Sequence, residues 1–205
     1  MATTSIGAPG VVFPDGTTQA GAANPNVIVT IYTSPATWTK PPTVKFVKVT
    51  VVGGGASGQK NNPGSLGPLY AGSSGGSGIA YLPGPSIPSP QPITIGSGGA
   101  APPDTGSYQS GNSGTDTSFG TFVTAGGGVA GTCGAPGTFP GAGGSFTNSP
   151  TVLGLVGNPS IKSLGSPTSY IALGQGGQTT GVGYGQGGGS GSAGAPGIVI
   201  VEEFY

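Results

Sequence analysis

Within residues 44–52 apolar and polar positions alternate, with Val47, Val49 and Val51 on one face and Lys48 and Thr50 on the other. A period of two predicts a half-buried β-strand. The β-branched run Val27-Ile28-Val29-Thr30-Ile31-Tyr32 predicts a second strand. Shorter strands are expected at 79–82, 93–95, 118–124 and 169–173, and a closing strand at 198–205. Gly, Pro, Ser and Thr interrupt every window in which apolar residues recur at 3.6-residue spacing, so no helix longer than a turn or two is expected. The chain ends on Glu202-Glu203-Phe204-Tyr205 directly after a strand, with no polar tail. Pairing that strand with 44–52 would make everything between them a set of excursions from one small sheet.

The excursions carry a different period. From Gly185 a glycine returns at every third position through Gly188, Gly191, Gly194 and Gly197. The same spacing recurs in Gly128, Gly131, Gly134 and Gly137, in Gly72, Gly75 and Gly78, and in Gly55, Gly58, Gly64 and Gly67 with Asn61 out of step. Three residues per turn is the repeat of the polyproline II helix, in which a glycine edge stays bare for a neighbouring backbone. Several such rods passing one another predict a bundled scaffold. The fold class expected is all-β: a glycine-rich, sandwich-like β body with short polyproline II segments.

The first residues read differently. One short apolar cluster, Val11-Val12-Phe13, is followed by the turn chemistry of Pro14-Asp15-Gly16. Residues 1–26 are therefore expected to form an extended attachment arm and residues 27–205 the glycine-rich β domain.

Composition narrows the reading. Of 205 residues 46 are Gly and 21 are Pro, a proportion that by itself suggests low complexity. A disordered chain combines low hydrophobicity with high net charge, whereas here hydrophobic residues make up 34% and the formal charges cancel. Fixing each backbone costs roughly 1–2 kcal/mol, and a small side-chain inventory offsets that poorly in a monomer. Association of identical chains is expected to supply the missing burial.

Charge and chemistry exclude several functions. The chain has five Lys, five acids, no Arg and no His. Phosphate neutralisation has little to work with, so no nucleic-acid binding is expected. No apolar run near 20 residues and no basic amphipathic stretch points to membrane insertion. The lone Cys133 cannot close an intrachain disulfide and suits a small buried side chain. A His-containing triad and a Cys/His metal site are absent by composition, and no cofactor is expected. Gly53-Gly54-Gly55-Ala56-Ser57-Gly58 follows a strand and matches G-x-G-x-x-G, but the residues after it form no helix and no acid follows to hold a ribose. A glycosidase needs paired carboxyl groups, and Asp104 and Asp116 sit among Gly, Ser and Thr, where capping of backbone is the ordinary role. Trp38, just before the long strand, reads as a packing anchor. The chain is expected not to be an enzyme.

Three passages resemble bacteriophage tail-fibre proteins of the glycine-rich type. Val11-Val12-Phe13-Pro14-Asp15-Gly16-Thr17-Thr18-Gln19 looks like the FPDGT-x-Q passage of fibre-like virion proteins. Trp38-Thr39-Lys40-Pro41 with Val47 through Gly55 is similar to the opening strand of their glycine-rich domain, and Gly194 through Glu202 to its closing strand. The resemblance implies a virion component, usually trimeric, at the tail fibre or baseplate periphery, made in the host cytoplasm without a signal peptide. It implies three partners: a homotrimer, a tail or baseplate protein held through Val11, Val12 and Phe13, and a host surface glycan. Aromatic faces beside amides and hydroxyls are what sugar recognition uses, so the receptor-contact candidates are Gln59, Asn61, Asn62, Tyr70, Tyr108, Gln109, Asn112 and Tyr184, within loops 59–70, 104–112, 146–149 and 178–184. Two rival readings are a tail or baseplate spacer that never meets a receptor, and an ice-binding protein built from stacked glycine-triplet helices.

Overall fold

Val47, Val49 and Val51 do turn inward together, and the sheet they belong to forms one half of a β-sandwich. A computed structural model of the chain describes residues 5–7, 10–12, 18–19, 27–60, 70–134, 137–139, 141–147, 152–157 and 183–205. The first sheet is antiparallel and contains β4 (Val27–Tyr32), β6 (Phe46–Val52), β7 (Ser77–Pro83), β13 (Val152–Leu155) and β14 (Ile198–Phe204), in the order β13-β7-β6-β14-β4. The second contains β5 (Ala36–Trp38), β8 (Gln91–Thr94), β9 (Thr117–Phe119) and β10 (Val123–Ala125), in the order β10-β9-β8-β5. The closing strand pairs with the opening one as expected, with Val199 opposite Val51 and Val201 opposite Val49.

Inward side chains of the two sheets meet in one core. Val47, Val49, Val51, Ala80, Leu82, Val199 and Val201 come from the first sheet, and Trp38, Ile93, Phe119, Val123 and Ala125 from the second. The rings of Trp38 and Phe119 lie 5.5 Å apart at the centre. Each fully buried aliphatic or aromatic side chain contributes about 1.5–3 kcal/mol, so this small core is the main apolar anchor of the domain. The predicted strand 118–124 is split in two, because Gly120 takes φ +50 and turns the chain between β9 and β10.

Six strands of the sandwich run directly into glycine-rich rods, and the rods pack around one another in a hexagon. The central rod, 53–60, continues β6. Three residues per turn point successive N–H groups about 120° apart, and each third residue finds the same neighbour. Gly53, Ala56 and Gln59 donate to Gly76, Ser73 and Tyr70; Gly54, Ser57 and Lys60 donate to Thr115, Asn112 and Gln109; Gly55 and Gly58 donate to Ala195 and Ser192, all at 2.8–3.1 Å. The carbonyls are taken by three other rods, through the N–H of Gly128 to Gly54, Gly99 to Gly55, and Gly188 and Gly191 to Ala56 and Gln59.

The six outer rods also bond to one another around the ring. Gly72 and Gly75 donate to Gly188 and Gly185, Gly194 and Gly197 to Gly99 and Gly96, Thr115 to Ser97, and Gly111 and Gly114 to Gly131 and Gly128. Rods that accept from the centre run antiparallel to it and rods that donate to it run parallel, in alternation. A further segment, 141–145, adds to the outside through Gly126 to Ser145 and Val129 to Ala142. Residues 53–59 are buried throughout, and their backbone polar groups are satisfied by this lattice. Glycine is required by close approach: a Cβ on Gly53, Gly54, Gly55 or Gly58 would overlap the carbonyl oxygen of Gly126, Ser97, Gln186 or Gly189 respectively.

The triplet 185–197 is not one rod. The chain reverses between Gly189 and Ser192, where Gly191 has φ +69 and Ser192 N donates to Gly189 O, so the glycine period spans two antiparallel rods. Likewise the Gly128 to Gly137 period leaves its rod for a hairpin of β11 (Thr132–Gly134) and β12 (Gly137–Phe139). Before the sandwich, β1 (Ser5–Gly7), β2 (Gly10–Val12) and β3 (Thr18–Gln19) form a small antiparallel meander within the segment expected to be an extended arm. The expected strand 169–173 and the arm boundary near residue 25 lie outside the described residues. Among the described residues, no helix is long and apolar enough to cross a membrane.

Candidate receptor-contact tip

The sandwich closes one end of the molecule, and the rods carry their connecting loops to the other. At that far end the central rod finishes at Gln59 and Lys60, and the loop 100–110 and the turn 189–192 converge on it. Lys60 and Gln109 exchange both backbone hydrogen bonds at 3.0 Å, an antiparallel bridge that ties loop 100–110 to the central rod. Gln59 lies beneath the tip and is buried; its Nε2 donates to Thr132 O at 3.0 Å, and its Oε1 accepts from Tyr70 N at 3.0 Å. Ser190 Oγ donates to Gln59 O at 3.1 Å, bringing the reversal at 189–192 to the same place.

The outer surface of this end is polar and nearly neutral. Among the described residues the charges at this end are paired, Lys60 Nζ lying 3.3 Å from Asp104 Oδ2. Gln109 Nε2 donates to Thr105 Oγ1 at 2.7 Å and to Ser107 Oγ at 3.1 Å, and the two hydroxyls are 3.0 Å apart. Gly106, with φ +70 and open space around it, makes the turn between them. Tyr108 stands beside this cluster with 37% of its surface exposed. The arrangement can offer an aromatic face and a set of hydroxyl and amide groups. Among the described residues no three His, Cys, Asp or Glu side chains gather where a metal could bind.

Of the sequence-derived candidates, the fold brings Gln59, Tyr70, Tyr108 and Gln109 together here. Asn112 sits one turn back along its rod, exposed, with Nδ2 donating to Ala100 O at 2.8 Å. Tyr184 is elsewhere: the next residue, Gly185, packs on Val52 and Gly53, at the junction of sandwich and bundle. Phe146 is also remote, bridged to Ala125 and laid against Gly154. Asn61, Asn62 and Phe13 lie outside the described residues; Val11 and Val12 are in β2. Ser190 and its neighbours were missed, because the unbroken glycine period hides the reversal.

A second polar cluster lies at the sandwich end. Trp38 Nε1 donates to Glu203 Oε1 at 2.5 Å, and Tyr205 OH donates to Glu203 Oε2 at 2.8 Å. Burial, with a smaller push from the Glu203 charge, raises the pKa of the Tyr32 hydroxyl. Burial, the hydrogen bond to Glu203 and its charge together raise that of Tyr205. The signal was present in sequence, since Glu203 shares the inward phase of Val199 and Val201. With both oxygens engaged, this carboxylate fixes Trp38 in the core. The G-x-G-x-x-G glycines are equally committed, their N–H groups donating to neighbouring rods. Asp116 caps backbone as expected, accepting Gly127 N at 2.9 Å.

A family model described as a glycine-rich domain matches residues 30–198, the span from the first sandwich strand to the last. The chain belongs to that family. No curated protein matches it. The match runs from within β4 to the first residue of β14 and so takes in the rods and the strands between them.

Proposed function

We propose that this glycine-rich domain is the attachment body of a phage tail fibre or tail tip, working as a homotrimer that touches a host surface glycan through the loops at the rod end. Residues 1–26 serve as its link to a neighbouring tail or baseplate protein, and the protein resides on the virion. The observation that carries the reading is the tip itself: an exposed tyrosine beside a hydroxyl and amide cluster, with its Lys and Asp paired, mounted on a backbone lattice that holds the loops in fixed relation. A neutral surface of this kind selects by stacking and hydrogen bonding. Repeating it on several subunits raises avidity through effective concentration without any one site binding tightly. The sequence resemblance to tail-fibre proteins supports the same reading.

The test is binding of the purified chain to a panel of bacterial cells and to their isolated surface polysaccharides. Saturable binding that Tyr108→Ala weakens at unchanged melting temperature is the expected result. Failure to bind any cell surface, with labelled chain found inside the tail of an intact particle, would replace this reading with that of a spacer.

A further inference from the structure

The outward face of the five-stranded sheet is apolar and carries its own charge balance. On its edges Val27, Val29 and Ile31 of β4 are 44%, 55% and 59% exposed, and Leu153 and Leu155 of β13 are 64% and 69% exposed. Between them lie Tyr81, stacked on Phe46 at 6.1 Å, and Phe204, edge-on to Phe46 at 5.8 Å. The strand register puts all of these on the side opposite the core. Among the described residues the charges on this face are Lys48 and Glu202, directly opposite one another and paired at 2.6 Å.

Among the described residues β4 is a free edge of the sheet, and an unusual one. Edges of soluble monomers are guarded by Lys, Pro, bulges or very short strands. β4 has six residues without any of these, and it overhangs the core, so that Ile28 on its inward side is also 49% exposed.

We infer that this face and the β4 edge are the surface on which another copy of this chain docks. The area is of the right order: the exposed parts of Val27, Val29, Ile31, Tyr81, Leu153 and Leu155 come to roughly 600 Å², near the ~800 Å² that each partner gives to a standard interface. The charge pattern selects the occupant. A face whose two charges cancel internally meets its own copy without like-charge cost. A basic or acidic partner would find nothing to recognise. This surface rests on the association part of the proposed function and is independent of the glycan tip.

The test is the solution mass of the full chain by light scattering, with Val29→Glu, Ile31→Glu and Leu153→Glu as separate variants. Two or more chains per particle for the wild type, falling to the mass of one 19.4 kDa chain in the variants, is expected. Trp38 fluorescence and circular dichroism check that the variants keep the core. A second readout is amide exchange in 27–32, which is expected to quicken on dilution. A monomeric wild type, a multimer that all three folded variants retain, or exchange in 27–32 that ignores concentration would each overturn the inference. A wild-type multimer that the variants dissociate but that binds no glycan would count against the tip alone.

Discussion

Gly55→Ala places one methyl group inside the central rod of the bundle. A Cβ there would overlap the Gln186 carbonyl, well inside the 3.0 Å that real Cβ atoms respect, and the obstructing atoms are backbone. The central rod must then separate from the 185–191 rod. That rod is bonded to the central one by Gly188 N to Ala56 O at 2.8 Å and Gly191 N to Gln59 O at 2.9 Å, so a shift there opens two buried hydrogen bonds. Leaving each pair of buried groups short of partners costs about 1–3 kcal/mol. The stiffer unfolded chain returns about 0.4–1 kcal/mol. A net loss of about 3 kcal/mol results, a large share of the 5–15 kcal/mol typical of a folded domain. For a chain of this length that corresponds to a fall of about 6–12 °C in melting temperature. The assay is thermal unfolding followed by circular dichroism, with Ala56→Gly, which adds no atom to the same rod, as the comparison. A Gly55→Ala protein that melts within about 2 °C of the wild type would refute tight rod contact as the basis of the fold.

Trp38→Phe removes the indole N–H that bonds Glu203 inside the core, and the destabilisation expected is about 3 kcal/mol in urea unfolding; no change would mean that the buried carboxylate is satisfied by other means. Tyr108→Ala is expected to leave stability within about 0.5 kcal/mol while weakening cell-surface binding, and unaltered binding would remove Tyr108 from the contact. Stability should also fall in alkali. The hydroxyls of Tyr32 and Tyr205 have pKa values raised by burial and by Glu203, and the ammonium of Lys48 has its pKa raised chiefly by its hydrogen bond to Glu202. A raised pKa means that the folded state favours the protonated form. Its contribution is complete below the ordinary value near 10 and is lost as pH climbs through the raised ones. Urea midpoints measured from pH 8 to 11.5 should therefore drop above about pH 10, less steeply in Tyr32→Phe and Tyr205→Phe; a flat profile would contradict the folded-state environment of these groups.

Sequence made the sandwich strands legible wherever side chains alternate over enough residues. β4, β6, β7 and β14 fall where the alternation and β-branched runs put them, and β6 pairs with β14 as expected. Strands β8, β9 and β10 overlap the short strands expected at 93–95 and 118–124, whereas β5 and β13 escaped. β5 has only Ala36, Thr37 and Trp38, and β13 has Gly154 at its middle, so neither carries a period that can be read. The glycine spacing indicated rods but not their number or direction. A bare edge every third residue says that a neighbour approaches and leaves open which one, and a tight reversal made of Gly and Ser keeps the period while inverting the path. The tip suffered the same loss. Tyr108 and Gln109 stood out by residue type, but their meeting with Gln59 depends on which rods adjoin, and that is decided by backbone hydrogen bonds that any residue can make.

Because every rod residue faces one of three neighbours in rotation, deletion or insertion of a single residue within 53–59 would turn all that follows by a third of a revolution, aiming side chains at places reserved for bare backbone. Length changes in the rods are confined to whole triplets, matched across adjoining rods, whereas the connecting loops can lengthen or shorten by any number. Sequence drift in such a molecule is channelled to the loops at the rod end, which a lineage can replace wholesale while its interior stays unaltered.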